Sequence, residues 1–338
     1  MDATASDSGT PTGRPVALVT GASRGLGFLL AREWARAGHD LVVCARSADG
    51  LEPAAENLRG EGVEVEAVEA DVADRDDVTR LVARTEHRFG RLDVLVANAG
   101  IIQVGPAGQM RAADHRHAMD VAHWGTVHAV LEALPLLQRS RGRVLAVTSL
   151  GGKLPAPHLL PYAAAKHAAV GFAEGLRVES GRLGIGVTVA VPGLMRTGST
   201  RNALVTGDRV AERRWFTVAA SLPVLSMDAE RAARRLVAAT RRGRAEVVLT
   251  PAAALAIRAH ALAPNLTLRV TTAIADLLPT APDPVEHGAD PPLPGRVTDP
   301  QPGWFRRLTR LDRVAARRFH QHDDPAPVDD EAVPGGPS

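Results

Sequence analysis

Seven short runs along the chain have the pattern of β-strands: VALVT (16–20), LVVCA (41–45), VEVEAV (63–68), VLVAN (94–98), VLAVTS (144–149), VTVAV (187–191) and EVVLT (246–250). Most are continuously apolar rather than alternating, as expected of strands covered on both faces. Helix-length amphipathic segments separate them, among them 26–38, 74–89, 114–138, 162–182 and 228–242. Regular strand–helix alternation predicts an α/β fold, a doubly wound parallel sheet of the Rossmann type, as a single domain over 15–250.

The pattern changes at both ends. Residues 1–14 are small and polar and read as a disordered tail. Residues 251–278 predict two short helices, started by Pro251 and divided by Pro264, with an apolar stripe of Leu266, Val270, Ile274 and Leu277 or Leu278. That stripe could lid a pocket, touch a membrane surface or pack on the core. The Pro-rich and Asp-rich stretch 279–303 reads as a linker. Beyond it, Phe305, Leu308, Leu311 and Ala315 fall at helical spacing among arginines, in a segment (304–319) that could be a docked arm, a solvated tail or an interfacial anchor. An acidic, Pro-rich end follows. The expected division is a tail (1–14), a catalytic domain (15–250) with a variable substrate loop (194–227), a helical extension (251–280) and a C-terminal arm (281–338).

Composition narrows the partners. A formal net charge of +2 over 338 residues gives no global field for nucleic acid. The lone Cys44 permits no internal disulfide. The N-terminus lacks a basic-then-apolar signal layout, and no uncharged apolar run reaches about 18 residues, so a cytoplasmic protein is expected. His115, His117, His123 and His128 crowd one region, but their spacing and the missing Cys or Glu-x-x-His pattern favour solvated or interface histidines over a metal site.

Between the first strand and the first helix lies TGASRGLG, with Gly21, Gly25 and Gly27. Missing Cβ atoms let backbone approach a pyrophosphate, and the helix N-terminus offers free N–H groups. A ribose 2′-hydroxyl wants a carboxylate at the end of the second strand, whereas a 2′-phosphate wants arginine. That strand ends with Ala45 and Arg46, and Arg24 precedes the second glycine, so NADP(H) is expected over NAD(H). Asp71, after the third strand, offers either a turn cap or an acceptor for the adenine amino group.

The chain has one tyrosine, Tyr162, and two lysines, Lys153 and Lys166, against 38 arginines. Tyr162 and Lys166 are i and i+4 and share a helix face. Ser149 ends a strand thirteen residues earlier, on the side where parallel sheets bind ligands. With the Gly turn (20–27), NAG (98–100), Ser149, YAAAK (162–166) and PGLMRT (192–197) in this order, the chain resembles the short-chain dehydrogenase/reductase family over roughly 15–250.

The resemblance implies Tyr162 as general acid/base, Lys166 lowering its pKa and bonding the nicotinamide ribose, and Ser149 holding the substrate oxygen. It implies cofactor contacts from Gly21, Ser23, Arg24, Gly25, Leu26, Gly27, Arg46, Asp71, Val72, Asn98, Ala99, Gly100, Tyr162, Lys166, Pro192, Gly193 and Thr197. It also implies homo-oligomers, and the small-sided Tyr helix (Ala163, Ala164, Ala165, Ala168, Ala169, Gly171) suits close helix approach. One position departs: Ala122 stands where the family usually has an Asn that shapes a water path to Lys166, with His123 beside it. The apolar stretch 215–225 suggests a hydrophobic ketone, aldehyde or secondary alcohol as substrate, in the reducing direction. The alternative reading, encouraged by Ala122, is a dinucleotide sensor or scaffold without turnover.

Overall fold

The computed structural model describes residues 13–222, 226–280, 291–298 and 309–321. The remaining parts of the two tails and of the Pro-rich stretch, with Phe305 and Leu308, lie outside the described residues.

The seven strand-like runs form one parallel sheet: β1 (Val16–Thr20), β2 (Asp40–Ala45), β3 (Val65–Glu69), β4 (Val94–Ala97), β6 (Arg143–Val147), β7 (Gly186–Val191) and β11 (Glu246–Val248). A two-residue β5 (Gln103–Val104) and three further short strands, β8 (Leu194–Arg196), β9 (Leu204–Val205) and β10 (Ser226–Asp228), lie outside it. The order across the sheet is β11-β7-β6-β4-β1-β2-β3, every pair parallel. It reverses between β1 and β4, the point where doubly wound sheets open a crevice at their carboxyl ends.

Helices α1 (Gly25–Arg36), α2 (Ala48–Arg59) and α8 (Ala229–Arg241) cover one face of the sheet, burying Trp34, Phe28 and Leu58. The other face is covered by α3 (Arg75–Phe89) and α5 (Gly125–Ser140), with α6 (Leu160–Ser180) beside them. Continuous apolar strands follow from this double covering: alternate side chains of β1, Ala17 and Val19 against Val16 and Leu18, enter opposite cores.

The helix read over 114–138 is interrupted. It divides into α4 (Ala112–Met119), one π turn (Asp120–Trp124) and α5. The region read as a substrate loop contains α7 (Arg209–Ser221), whose N-cap Asp208 accepts from the Ala211 N–H. Two helices follow the sheet, α9 (Pro251–Leu262) and α10 (Pro264–Ala275), each with its proline in the first turn, where the missing N–H costs nothing. Of the Pro-rich stretch, β12 (Leu293–Pro294) pairs antiparallel with β9 and so joins a small sheet with β5. The last helix is α11 (Arg310–Arg318). Its buried face is Asp312, Ala315 and Ala316, followed by Phe319, while Leu311 is exposed. A carboxylate displaces the expected leucine because its oxygens are satisfied: Asp312 accepts from the Gly198 N–H at 3.0 Å and the Thr200 hydroxyl at 2.7 Å.

Candidate active site

A cavity of about 1270 Å³ runs along the carboxyl ends of β1, β4, β6 and β7. Every residue that the sequence singled out for catalysis or cofactor contact borders it. The glycine turn forms its floor. Gly21 and Gly25 have φ of +65° and +57°, a region open to glycine and costly for other side chains. Asn98 holds the turn against β4: its amide donates to the Thr20 carbonyl at 3.0 Å and the Gly21 carbonyl at 3.3 Å. Its side chain is therefore spent on shaping the turn.

Beside the end of β2, Arg24 and Arg46 border the cavity and no acid stands at that strand end. Asp71 caps a turn, accepting from the Ala73 N–H at 2.9 Å, with Val72 beside it on the wall. The arginines, the positive-φ glycines and the first-turn N–H groups of α1 after Gly25 make a donor set that fits a phosphorylated dinucleotide.

At the other end, Ser149 and Tyr162 meet. The Ser149 Oγ accepts from the Gly151 N–H at 3.1 Å, and its hydroxyl bonds the Tyr162 phenol. A Cβ on Gly151 would lie 3.3 Å from Tyr162 Cε1 and 3.6 Å from Ser149 Oγ, so both groups crowd the same glycine. A Cβ on Gly152 would lie 2.6 Å from the Lys166 carbonyl. This pair of glycines lets the loop after β6 pack directly on the backbone of α6. The sequence reading passed over both.

One expectation about protonation needs correction. The Tyr162 phenol is pushed up rather than down: burial dominates, partly offset by a hydrogen bond from Ser149. Lys166 is not among the causes, and its Nζ donates to the Val147 carbonyl at 3.0 Å. The ammonium is itself buried, which lowers its pKa to about 8.

A sequence model of short chain dehydrogenases matches residues 15–206. The chain belongs to the short-chain dehydrogenase family. It is 38% identical over 232 residues to 11-beta-hydroxysteroid dehydrogenase A of Sesamum indicum, covering 68% of this chain and 66% of that protein. It is 37% identical over 203 residues to a Streptomyces violaceoruber protein named as ketoacyl reductase 1 of the granaticin polyketide synthase, covering 58% of this chain and 74% of that one. A crystal structure of a short chain dehydrogenase/reductase from Burkholderia phymatum in complex with NAD shares the fold: TM-score 0.69, 24% identity, 81% of this chain and 98% of the other.

Within this short-chain dehydrogenase, the departure at Ala122 falls in the π turn, which forms without the usual Asn. Ala122 is buried beside Ala118 and Ala165, and its carbonyl accepts from the Thr126 hydroxyl at 2.9 Å. The His123 ring packs against Trp124 and Phe172, and burial lowers its pKa.

The open end of the cavity is apolar, with Leu159, Trp215, Phe216, Ile274 and Leu278 on its wall. Ile274 and Leu278 come from the helical extension, and Ile274 stays exposed like Leu266, Val270 and Leu277. Among the described residues no helix is long and apolar enough to cross a membrane. A buried carboxylate braces the mouth: Glu212 bonds His158 Nδ1 at 2.8 Å and accepts from Trp215 Nε1 at 2.6 Å. Glu212 joins the loop before α6 to α7 across 54 residues of sequence, a partnership that no local pattern announces.

Proposed function

We propose that the protein is an NADP(H)-dependent oxidoreductase acting on the carbonyl or secondary alcohol of a hydrophobic small molecule. The observation that carries this reading is the meeting of the Ser149 hydroxyl, the Tyr162 phenol and buried Lys166 at one end of a cavity that has two arginines, and no acid at the end of β2, toward its other end. A bound nicotinamide supplies or accepts the hydride. Ser149 donates a hydrogen bond to the substrate oxygen and holds it beside the phenol. Tyr162, a phenol already protonated at neutral pH and pushed further up by burial, gives its proton to that oxygen during reduction. Lys166 holds a donor beside Gly100 and the end of β6, where it bonds the ribose and restores the proton on Tyr162.

The names of both relatives, a hydroxysteroid dehydrogenase and a ketoacyl reductase, support CH–OH/C=O chemistry. The apolar mouth supports a hydrophobic substrate. Homo-oligomers are favoured by the exposed small positions Ala164, Gly171 and Gly175 on α6, with exposed Trp124 in the π turn and Leu131 on α5.

The test is a paired NADPH and NADH turnover screen across apolar ketones, aldehydes and secondary alcohols. NADPH-dependent reduction of at least one class is expected, and it should be lost in Tyr162→Phe. Tight dinucleotide binding with no turnover of any class would instead favour the sensor reading.

A further inference from the structure

α11 and the residues after it pack over the glycine turn. The Gly25 N–H donates to the Phe319 carbonyl at 2.8 Å, and the Phe28 and His320 rings meet edge-to-face with centroids 4.6 Å apart. Asp312 ties the same helix to Gly198 and Thr200. This segment lies beyond the residues matched by the family as a whole.

Gln321 ends the segment and is 5% exposed. Its amide orientation follows from a chain of donors. Arg296 donates to Asn202 Oδ1 at 2.8 Å, so Asn202 Nδ2 is left to donate to Gln321 Oε1, at 2.6 Å. With its oxygen engaged, Gln321 presents Nε2 as the free end. That nitrogen lies 2.8 Å from where a Cβ on Gly25 would sit, and Gln321 borders the cavity together with Gly25 and Thr197. Among the described residues it has no acceptor. An amide donor whose own oxygen is already engaged is available to any ligand that brings an acceptor to it. The neighbouring end of α1 offers further N–H groups and a partial positive charge, so an anionic oxygen meets both needs.

We propose that Gln321 is a ligand of the dinucleotide pyrophosphate, which makes the C-terminal helix part of the cofactor site. This rests on the cofactor reading above. Gln321 reads the pyrophosphate, which NADPH and NADH share, whereas Arg24 and Arg46 read the 2′-phosphate.

The experiment compares full-length wild type with Gln321→Met, a near-isosteric side chain without the donor, and Gln321→Glu, which sets a carboxylate against the phosphates. Affinities for NADPH and for adenosine 2′-monophosphate, which carries no phosphate on its 5′ carbon, are measured by titration calorimetry, with melting curves to establish folding. Gln321→Met should weaken NADPH about 10-fold and Gln321→Glu more, while the monophosphate is bound as by wild type. Unchanged or tighter NADPH binding by folded Gln321→Met overturns the proposal, and so does an equal loss for both ligands. If wild type binds NADPH and these variants do not differ from it, the cofactor reading survives and this inference fails. If wild type binds neither NADPH nor NADH, both fail.

Discussion

Lys166 donates from Nζ to the carbonyl of Val147 at 3.0 Å, tying the helix that carries Tyr162 to the end of the strand that leads to Ser149. In a chain that almost always uses Arg, this position has room for only a slender cation. A Cβ on Gly100 would already lie 3.4 Å from Nζ. Lys166→Arg keeps the charge but brings a wider, planar group. Turnover should fall roughly 100-fold or more. Steady-state kinetics on the folded variant check this, and near-wild-type kcat would remove Lys166 from the mechanism.

The same burial predicts a pH effect on stability. Lys166 has a folded pKa of about 8, below its ordinary value near 10.5. Below pH 8 both folded and unfolded states carry the proton, and the folded state bears the full cost of a buried ammonium. Between about 8 and 10.5 the unfolded state binds more proton, so this group makes stability rise with pH, by at most about 3 kcal/mol. Melting temperatures of the cofactor-free protein should therefore rise relative to Lys166→Met across that window. A constant difference between the two would contradict it.

Arg24 and Arg46 are expected to select the 2′-phosphate. Replacing either with Ala should weaken NADPH roughly 10-fold and leave NADH nearly unchanged. Fluorescence titration with both cofactors decides it. Tighter binding of NADH than NADPH by wild type would show that these arginines do not serve the phosphate.

Ala122→Asn tests the departure in the π turn. Restoring the side chain should raise kcat for reduction by less than about 100-fold, with cofactor affinity little changed. The new amide enters the contact with Ala118 and Ala165, so stability should drop by about 1–3 kcal/mol. Kinetics and melting curves must be measured on the same preparation. A folded variant no faster than wild type would mean that the relay is complete without this side chain.

Asp312 anchors the C-terminal helix from within the protein, and burial raises its pKa against the opposing hydrogen bonds of Thr200 and Gly198. Asp312→Ala strands those donors and should cost about 1–3 kcal/mol. Asp312→Asn keeps an acceptor for the Gly198 N–H and removes a buried charge, so it should melt above Asp312→Ala at pH 7. Equal melting of the two variants would show that the hydrogen bonds do not hold the helix.

The central sheet could be read along the chain because its strands are buried on both faces, and double burial writes itself as local apolar runs such as 16–20 and 187–191. The glycine turn, Ser149 and the Tyr162–Lys166 pair were equally legible, since each depends on residue types at short spacing. Tertiary structure decided what distant groups do to one another. It sent the Lys166 ammonium to Val147 and left Tyr162 governed by burial, which a helical repeat cannot report. It broke one predicted helix into a π turn where Ala122 packs against Ala165 of another helix. It also buried Asp312 in place of Leu311 and brought Gln321 to Gly25 across nearly the whole chain. Local patterns encode which face of an element is apolar, whereas the partner of a buried polar atom is fixed only when segments far apart in sequence meet.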